Sequence, residues 1–314
     1  MSAARVTVIG AGLMGHGIAQ VFARAGHQVT VQDPYQPSLD SLRDRIAANL
    51  RDLGQDESAV ERVRGERDLG AAVAEADYVV EAAPEDLALK QATFATIEAH
   101  APADCVLASN TSVIPITQIM AGLRDRSRAI GTHWWNPPFL VPLVEVIQTE
   151  WTDPSVIEWT MQLHGALGKT AVHVRKDVPG FIGNRLQHAL WREAISIVER
   201  GIADAQTVDA VIRASIGRRL SVLAPLANAD LVGTDLTLAI HRTVLPDIEN
   251  RPGPSPLLEK LVADGKLGFK TGEGFSTWSQ SQQSDIRQAM VRHLTAAAVQ
   301  DPPPSGAIAP WRRH

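Results

Sequence analysis

The segment Arg5-Val-Thr-Val-Ile-Gly-Ala-Gly-Leu-Met-Gly15 decides the fold of this chain. Its first five residues predict a short buried strand, and the apolar run at 18–25 predicts a helix directly after the glycines. A second apolar strand follows at 29–31 and ends at Asp33. This order of strand, glycine turn, helix, strand and terminal acid predicts the first unit of a dinucleotide-binding domain.

Each glycine of the G-x-G-x-x-G pattern has its own physical task. Gly10 permits a tight turn, Gly12 lets the backbone approach a pyrophosphate, and Gly15 lets the helix pack closely on the strand. Free N–H groups at the start of the helix then bind the phosphates. The predicted cofactor contacts of this loop are Gly10, Gly12, Leu13, Met14 and Gly15.

The acid at the end of the second strand predicts which dinucleotide is bound. The Asp33 carboxylate can accept hydrogen bonds from an adenosine ribose, and it would repel a 2′-phosphate. No arginine follows in Pro34-Tyr-Gln-Pro37 to offset that repulsion. We therefore expect NAD rather than NADP as the cofactor.

Bulk composition limits the classes of protein to which the chain can belong. Its 314 residues, 45% of them hydrophobic, predict about two domains with a sizeable core. The single cysteine, Cys105, lies in a strand-like run and is expected to be a core residue. A net charge of −5 without a lysine-rich block argues against a nucleic-acid partner. We find no signal peptide, membrane-length apolar run or metal-binding spacing, so we expect a soluble, cytoplasmic protein with no metal site and no membrane partner.

Helix and strand patterns alternate through the first half of the chain, which is typical of a parallel sheet covered by helices. After Asp177-Val-Pro-Gly180 the pattern becomes mostly helical. The predicted fold class is α/β: an N-terminal Rossmann domain with a mostly parallel sheet at 1–180, followed by an all-α C-terminal domain at 181–314. A Pro-rich tail from about residue 301 is expected to be mobile. Further strands are predicted at 77–81, 105–108, 128–132, 141–147 and 170–174.

Polar residues at the carboxyl ends of the predicted strands form the candidate site, because ligands of open parallel sheets bind there. His133 ends one strand, and Glu145 lies within the apolar run Pro142-Leu-Val-Glu-Val-Ile147. A buried carboxylate needs a partner, and a nearby imidazole is the natural one. The pair would hold the ring in one tautomer and suit it to accept a proton. A structural histidine is the alternative.

Other polar residues at strand ends allow two interpretations. Glu85 follows one strand, and Ser109-Asn-Thr-Ser112 follows the next. Asn110 and Ser112 either contact ligands or form a polar turn. Trp134 and Trp135 either line a pocket or fill space.

Several motifs, in order along the chain, resemble those of one family. They are the Gly10–Gly15 loop, Ser109-Asn-Thr-Ser112, His133-x-x-Asn136-Pro, Leu143-Val-Glu145-Val, Pro179-Gly-Phe-Ile-Gly-Asn184-Arg185 and Lys270-Thr-Gly-Glu-Gly-Phe275. Together they resemble the 3-hydroxyacyl-CoA dehydrogenase family over about residues 5–278. The resemblance implies a Rossmann domain, a helical domain that forms a homodimer, and oxidation of a 3-hydroxyl group to a 3-keto group by hydride transfer to NAD.

The resemblance also implies roles for individual residues. His133 would be the general base, oriented by Glu145, and Ser112 and Asn184 would hydrogen-bond the substrate hydroxyl or carbonyl. The expected NAD contacts beyond the glycine loop are Asp33, Glu85, Lys90, Asn110, Ser112, Asn136 and Lys270.

Departures from the family pattern concern the substrate. Members that use CoA thioesters carry a serine and, seven residues later, a CoA-binding lysine, where this chain has Asn49 and Asp56. An acidic segment is a poor partner for CoA phosphates. The segment 216–225 is more similar to the branch that contains gulonate dehydrogenase, lambda-crystallin and carnitine dehydrogenase, in which an arginine matches Arg219. Arg219, or the adjacent Arg218, could bind a free carboxylate, and Ala224 stands where both branches usually have glycine.

Three functions are therefore compatible with the sequence. The first is NAD-dependent oxidation of a small free 3-hydroxy acid. The second is the same oxidation on a short 3-hydroxyacyl-CoA such as 3-hydroxybutyryl-CoA. The third is a non-catalytic NAD(H)-binding protein of the crystallin type, against which the intact His133, Glu145 and Asn184 argue.

Overall fold

The computed structural model describes residues 3–313 and divides into two compact units. The first comprises Met1–Arg185 together with Met290–His314, and the second comprises Leu186–Ala289. The sequence predicts one boundary near 180 and assigns all of 181–314 to the helical domain. The structure instead returns the chain to the first unit at Met290.

One eight-stranded sheet organises the first unit, in the order β3-β2-β1-β4-β5-β6-β7-β8. All neighbouring strands are parallel except β6 and β7, which are antiparallel. The predicted Rossmann fold with a mostly parallel sheet is therefore confirmed. The strands are β1 (Arg5–Ile9), β2 (Gln28–Gln32), β3 (Val63–Glu66), β4 (Tyr78–Glu81), β5 (Val106–Ser109), β6 (Ala129–Trp134), β7 (Leu143–Ile147) and β8 (Thr170–Val174).

Apolar residues alternate between the two faces of this sheet, and both faces are buried. Val80 and Val106 belong to one core cluster, whereas their chain neighbours Val79 and Leu107 belong to a second. Since successive side chains of a strand point to opposite faces, each cluster fills the space between the sheet and its covering helices. The helices of this part of the chain are α1 (Leu13–Arg24), α2 (Gln36–Asp40), α3 (Leu42–Asp52), α4 (Leu69–Val73), α5 (Leu87–His100), α6 (Ile116–Ile119) and α7 (Pro154–Ala166).

The remaining helices confirm the predicted helical domain. They are α8 (Gly183–Glu199), α9 (Ala205–Ala214), α10 (Pro225–Val232), α11 (Thr234–Val244), α12 (Pro256–Ala263) and α13 (Gln280–Ala298). Extended pairing in the second unit is limited, among the described residues, to isolated bridges that join Gly268, Glu273 and Thr277. Among residues 3–313, no helix is long and apolar enough to cross a membrane.

The Pro-rich tail packs against the first unit, which differs from the mobile tail that the sequence predicts. Trp311 is buried, and Ile308 packs on the larger core cluster. The tail also completes backbone and indole hydrogen bonds: the Ala4 N–H donates to the carbonyl of Ile308, and the Trp311 indole donates to the Ser155 hydroxyl. Burial of these two apolar side chains provides a free energy that the proline-rich composition of the tail does not reveal.

Candidate active site

Two glycines of the loop are required by close packing, and the third is surrounded by open space. Gly10 has a φ of +98°, and a Cβ there would lie 2.8 Å from the Ala82 carbonyl oxygen. A Cβ on Gly15 would lie 1.7 Å from the Gly10 oxygen, so helix α1 can approach β1 only because this residue is glycine. Gly12, in contrast, is exposed and has open space at its Cβ position. The loop is closed against the sheet at Gly10 and Gly15 and open at Gly12, at the N-terminus of α1, where an anion can bind.

The predicted loop contacts Leu13 and Met14 begin helix α1. Leu13 is exposed, and Met14 is half-buried against the larger core cluster. Their N–H groups belong to the first turn and therefore have no partner within the helix.

Asp33 directly follows β2, and backbone N–H groups hold its carboxylate in place. Its Oδ2 accepts a hydrogen bond of 2.8 Å from the Ala11 N–H, and its Oδ1 accepts one of 2.9 Å from the Tyr35 N–H. These contacts hold a half-buried carboxylate beside the glycine loop. The arrangement suits a negative charge that faces a ribose rather than a phosphate.

Lys90, a predicted cofactor contact, lies in a buried ion pair. Its Nζ donates to Glu81 Oε1 at 2.7 Å and to the Ala83 carbonyl at 3.2 Å, and it lies 3.4 Å from Glu85 Oε2. The Lys90 and Glu81 side chains are both almost fully buried. The three N–H donors of the ammonium group thus have protein oxygens within reach, and its main contact is to the end of β4.

Glu85, the second charged residue of this group, joins the ends of β4 and β5. Its Oε1 accepts hydrogen bonds from the Thr111 hydroxyl at 2.5 Å and from the N–H groups of Ser112 and Val113. Burial alone would raise the pKa of Glu85, but the Thr111 hydrogen bond and the Lys90 charge together lower it. The loop that carries Ser112 is therefore fixed by an ionised carboxylate.

Asn110 and Asn136 have different surroundings. Asn110 is buried, and its Oδ1 accepts a hydrogen bond of 2.8 Å from the Trp134 N–H, which ties the end of β5 to the end of β6. Asn136 is exposed and precedes a cis peptide bond to Pro137.

His133 and Glu145 form the pair that the sequence predicts. They lie opposite each other in the register of the antiparallel β6–β7 pair. His133 Nδ1 lies 2.8 Å from Glu145 Oε2, and both side chains are buried. Because the ionised carboxylate only accepts hydrogen bonds, Nδ1 carries the proton in the neutral form of the ring, and Nε2 then has the lone pair.

The second oxygen of Glu145 binds the start of helix α8. Its Oε1 accepts hydrogen bonds from the N–H groups of Ile182 and Gly183, at 2.9 and 3.0 Å. Burial alone would raise the pKa of Glu145, but the hydrogen bond from His133 and the two backbone N–H groups lower it. Phe181, with a φ of +50°, is the non-glycine residue with left-handed backbone in this turn, and such geometry is typical of functional sites.

Asn184 and Ser112 are brought together. Asn184 is buried, and its Nδ2 donates to the Ser112 carbonyl at 2.8 Å. The first turn of α8 thereby contacts both the Glu145 carboxylate and the loop after β5. The four predicted catalytic residues, His133, Glu145, Ser112 and Asn184, thus form two contacting pairs within the first unit.

Two predicted site residues belong to the second unit. Arg219 is exposed and directly follows a 3₁₀ turn at Ile216–Arg218. Lys270 lines a cavity of about 530 Å³ together with Phe269, Trp278 and Arg287. Within residues 3–313 no cluster of three or more His, Cys, Asp or Glu side chains has the geometry to bind a metal ion.

Comparison with known proteins assigns the family. Residues 5–178 match the NAD binding domain of 3-hydroxyacyl-CoA dehydrogenase, and residues 180–278 match the C-terminal domain of the same family. The chain belongs to the 3-hydroxyacyl-CoA dehydrogenase family. The predicted resemblance is confirmed, and the chain is an NAD-dependent dehydrogenase.

Individual relatives within the 3-hydroxyacyl-CoA dehydrogenase family differ in the reactions for which they are named. The chain is 34% identical over 296 residues to 5-formyl-3-hydroxy-2-methylpyridine 4-carboxylate 5-dehydrogenase of Mesorhizobium japonicum, covering 93% of this chain and 96% of the relative. A crystal structure of a dehydrogenase so described, an NAD⁺-dependent dismutase, has a TM-score of 0.87 at 33% identity, covering 94% of this chain and 97% of the other.

Two further relatives differ in whether the substrate for which they are named carries CoA. L-carnitine dehydrogenase of Streptomyces griseus is 40% identical over 233 residues, 73% of this chain and 70% of the relative. The 3-hydroxybutyryl-CoA dehydrogenase of Mycobacterium tuberculosis is 37% identical over 285 residues, 87% of this chain and 98% of the relative.

Several residues that shape this dehydrogenase site are not singled out by the sequence alone. Glu81, the buried partner of Lys90, ends the apolar strand Tyr78-Val-Val-Glu81, which is the same signal that singles out Glu145. The sequence indicates Trp135 only as a residue that lines a pocket or fills space, and its indole contact with Glu145 depends on the fold. The two N–H groups that bind Glu145 belong to the backbone, so residue types do not indicate them.

Proposed function

We propose that the chain oxidises the secondary 3-hydroxyl of a small free hydroxy acid to a ketone, with NAD as hydride acceptor and His133 as general base. The observation that carries this proposal is the 2.8 Å contact between His133 Nδ1 and Glu145 Oε2. It fixes the tautomer in which Nε2 can accept a proton. Bound NAD supplies the nicotinamide that takes the hydride.

The first unit suits NAD at the positions that the sequence singles out. Gly12 leaves space for a pyrophosphate at the N-terminus of α1, and Asp33 presents a carboxylate toward the place of a ribose. We propose further contacts by Glu85, Ser112, Asn110, Asn136 and Lys270. For Lys90, whose ammonium group is paired with Glu81, we propose that it acts by holding Glu85 in place.

Ser112 and Asn184 are proposed to orient the substrate oxygen. The Asn184 amide nitrogen is held by the Ser112 carbonyl, which leaves the amide oxygen and the exposed Ser112 side chain for other partners. A hydroxyl bound there would be oriented for proton transfer to His133. Orienting the reacting groups in this way lowers the entropic part of the activation barrier.

Three features favour a free acid over a CoA thioester. The side chain of Asn49 is engaged, because its Nδ2 donates to Gln20 Oε1 at 3.0 Å. Asp56 caps the following 3₁₀ helix through the Ser58 N–H, so an acidic side chain stands at the position where CoA-dependent members have a lysine for the CoA phosphates. The relatives named above that act on pyridine carboxylate and L-carnitine are named for substrates that carry a free carboxylate.

A free carboxylate needs a cationic partner, and we propose Arg219 for this role, with Arg218 as the alternative. A guanidinium can bind a carboxylate through two parallel hydrogen bonds. Both arginines are exposed in the second unit.

We also propose that the second unit forms a homodimer. Its helices expose many large apolar side chains, among them Leu190, Trp191, Leu231, Leu236 and Ile240. Exposed apolar surface of this extent is typical of a protein–protein interface. The cytoplasmic location stays a prediction.

A substrate screen tests the proposed substrate class. NAD reduction is measured with free 3-hydroxy acids, including 3-hydroxybutyrate and carnitine, against 3-hydroxybutyryl-CoA. We expect a free acid to have the highest kcat/KM. Arg219→Met should then raise KM for that acid by a factor equivalent to roughly 2–3 kcal/mol, a lost charged hydrogen bond, while leaving NAD affinity unchanged. Arg218→Met tests the alternative in the same way, and Arg213→Met, which alters an exposed arginine paired with Asp209 on α9, is the matched control. Turnover of CoA thioesters alone, or an unchanged KM for the free acid in both the Arg218→Met and the Arg219→Met enzyme, would favour the short 3-hydroxyacyl-CoA as substrate.

A further inference from the structure

The indole ring of Trp135 contacts both members of the His133–Glu145 pair. Its Nε1 donates a hydrogen bond of 3.4 Å to Glu145 Oε2, the same oxygen that accepts the His133 N–H. Its ring centroid lies 5.4 Å from that of His133, at an interplanar angle of 54°. On another side, Phe181 packs against the imidazole at 5.7 Å. The catalytic pair is therefore enclosed by two aromatic rings, one of which also donates a hydrogen bond.

Gly183 makes room for this indole. A Cβ on Gly183 would lie 2.4 Å from Cζ2 of Trp135, a distance that real Cβ atoms essentially never show. The N–H of the same glycine donates to Glu145 Oε1 at 3.0 Å. Gly183 thus contributes to the site twice, once through its N–H group and once through the side chain that it lacks.

We propose that Trp135 is a positioning residue for the oxidation step, which holds the Glu145 carboxylate against His133, and that Gly183 is glycine in order to admit the indole. This inference rests on the proposed role of His133 as general base. Oε1 of Glu145 is held by the two backbone N–H groups, and Oε2 is shared between His133 and Trp135. Four donors from β6, the following loop and the start of α8 leave the carboxylate one orientation.

The shared oxygen gives Trp135 an effect on proton transfer as well as on geometry. The charged and polar groups that act on Glu145 are His133 and the N–H groups of Ile182, Gly183 and Trp135. Loss of the indole N–H would leave Oε2 to His133 alone. The carboxylate would then stabilise the protonated imidazole more strongly, and the base would lose its proton only at higher pH.

Trp135→Phe tests the hydrogen bond while it keeps an aromatic ring beside His133. With the best substrate of the screen, the acid limb of the kcat/KM profile should move to higher pH by about 0.3 to 1 pH unit, the equivalent of one ordinary hydrogen bond. The plateau kcat should fall less than about tenfold, and KM for NAD should stay unchanged. Trp151→Phe, which alters a tryptophan stacked on Arg126 outside the site, is the matched control and should keep the wild-type profile.

A second readout needs no substrate. The Nδ1 proton of His133, assigned in the NMR spectrum by its loss in His133→Gln, should move downfield in Trp135→Phe because the shared oxygen accepts one donor fewer. A superimposable pH profile together with an unmoved proton signal would overturn the proposal, as would an equal shift in Trp151→Phe.

Gly183→Ala tests whether the missing side chain of Gly183 makes room for the Trp135 indole. Alone, it should displace the indole and shift the acid limb in the same direction as Trp135→Phe. In the Trp135→Phe background it should add little, because phenylalanine lacks the Cζ2 atom of the indole. Additive effects would refute the pairing, and if Gly183→Ala does not fold, Trp135→Phe decides the hydrogen-bond role by itself. Full activity in His133→Gln would refute the base assignment, whereas an inactive His133→Gln with an unchanged Trp135→Phe would refute only the positioning role.

Discussion

His133 and Glu145 face each other across the one antiparallel pair of strands in the sheet, with Nδ1 and Oε2 2.8 Å apart. In a parallel arrangement the chain would have to return to the far end of the sheet before pairing again. The antiparallel turn between β6 and β7 instead brings a carboxylate back to the histidine 12 residues later, on rigid strands rather than on loops. If His133 is the base, as proposed, it needs little rearrangement before it accepts a proton.

The first prediction concerns cofactor choice. We expect kcat/KM with NAD to exceed that with NADP by at least about tenfold, or 1.4 kcal/mol, because Asp33 would repel a 2′-phosphate. Asp33→Ala and Asp33→Asn should both reduce this ratio, and the asparagine variant does so while keeping an oxygen for the Ala11 N–H. The measurement is initial-rate kinetics with each cofactor.

The matched control for this prediction is Asp40→Asn. Asp40 lies on α2, and its Oδ1 accepts a hydrogen bond from the exposed Gln36 side chain. It should leave the cofactor ratio unchanged. Equal use of the two cofactors by the wild-type protein would contradict the role given to Asp33.

The second prediction concerns the buried Lys90–Glu81 pair. Lys90→Met should reduce the free energy of unfolding by about 3–5 kcal/mol, since it leaves a buried carboxylate without its cation. Lys260→Met removes a lysine from an exposed pair with Asp264 at a similar distance, and it should leave the urea midpoint nearly unchanged. Urea unfolding of both variants checks the difference. Equal midpoints for the two variants would show that burial of the Lys90 pair has no consequence for stability.

The third prediction concerns the pH dependence of stability. His164 is fully buried among aromatic rings, and burial lowers its pKa to about 4, although the Thr160 carbonyl acts in the opposite direction. Below the ordinary histidine pKa of about 6.5, His164 binds a proton in the unfolded chain but stays neutral in the folded chain until the pH approaches 4. The free energy of unfolding should therefore fall as pH drops from about 6.5 to about 4, by at most about 1.4 kcal/mol per pH unit from this residue.

The variant His164→Phe should reduce that slope. Burial also lowers the pKa values of His16 and His27, so part of the slope should remain. His100→Phe is the matched control, because His100 makes the same hydrogen bond to the carbonyl four residues earlier but is exposed. Thermal unfolding between pH 4 and 8 distinguishes them, and parallel curves for wild type and His164→Phe would refute the assignment.

Most of the first unit could be predicted from the sequence because its signals are local. The glycine loop, the apolar strands and the His133–Glu145 pair each follow from residue type and spacing within one short segment. Strand β3 is missing from the prediction because Val63-Arg-Gly-Glu66 is polar and half-exposed, so its strand character comes from pairing with β2.

The parts that the sequence did not predict depend on contacts between distant segments. The tail after residue 301 has a composition typical of mobile chain, yet Trp311 is buried against residues more than a hundred positions earlier. Lys90 matches a family cofactor contact, and only the folded chain shows that Glu81 binds its ammonium group. Similarly, the two N–H groups that bind Glu145 follow from a left-handed turn at Phe181, a residue type that gives no hint of such a conformation.

The most direct test of the central claim is the steady-state rate of His133→Gln with the best hydroxy acid, measured beside its affinity for NAD. If His133 is the general base, kcat should fall by roughly 10²–10⁴-fold while NAD binding stays near that of the wild type. Glu145→Gln should cost somewhat less and should change the pH profile of the rate. A His133→Gln enzyme that turns over at the wild-type rate would contradict the claim.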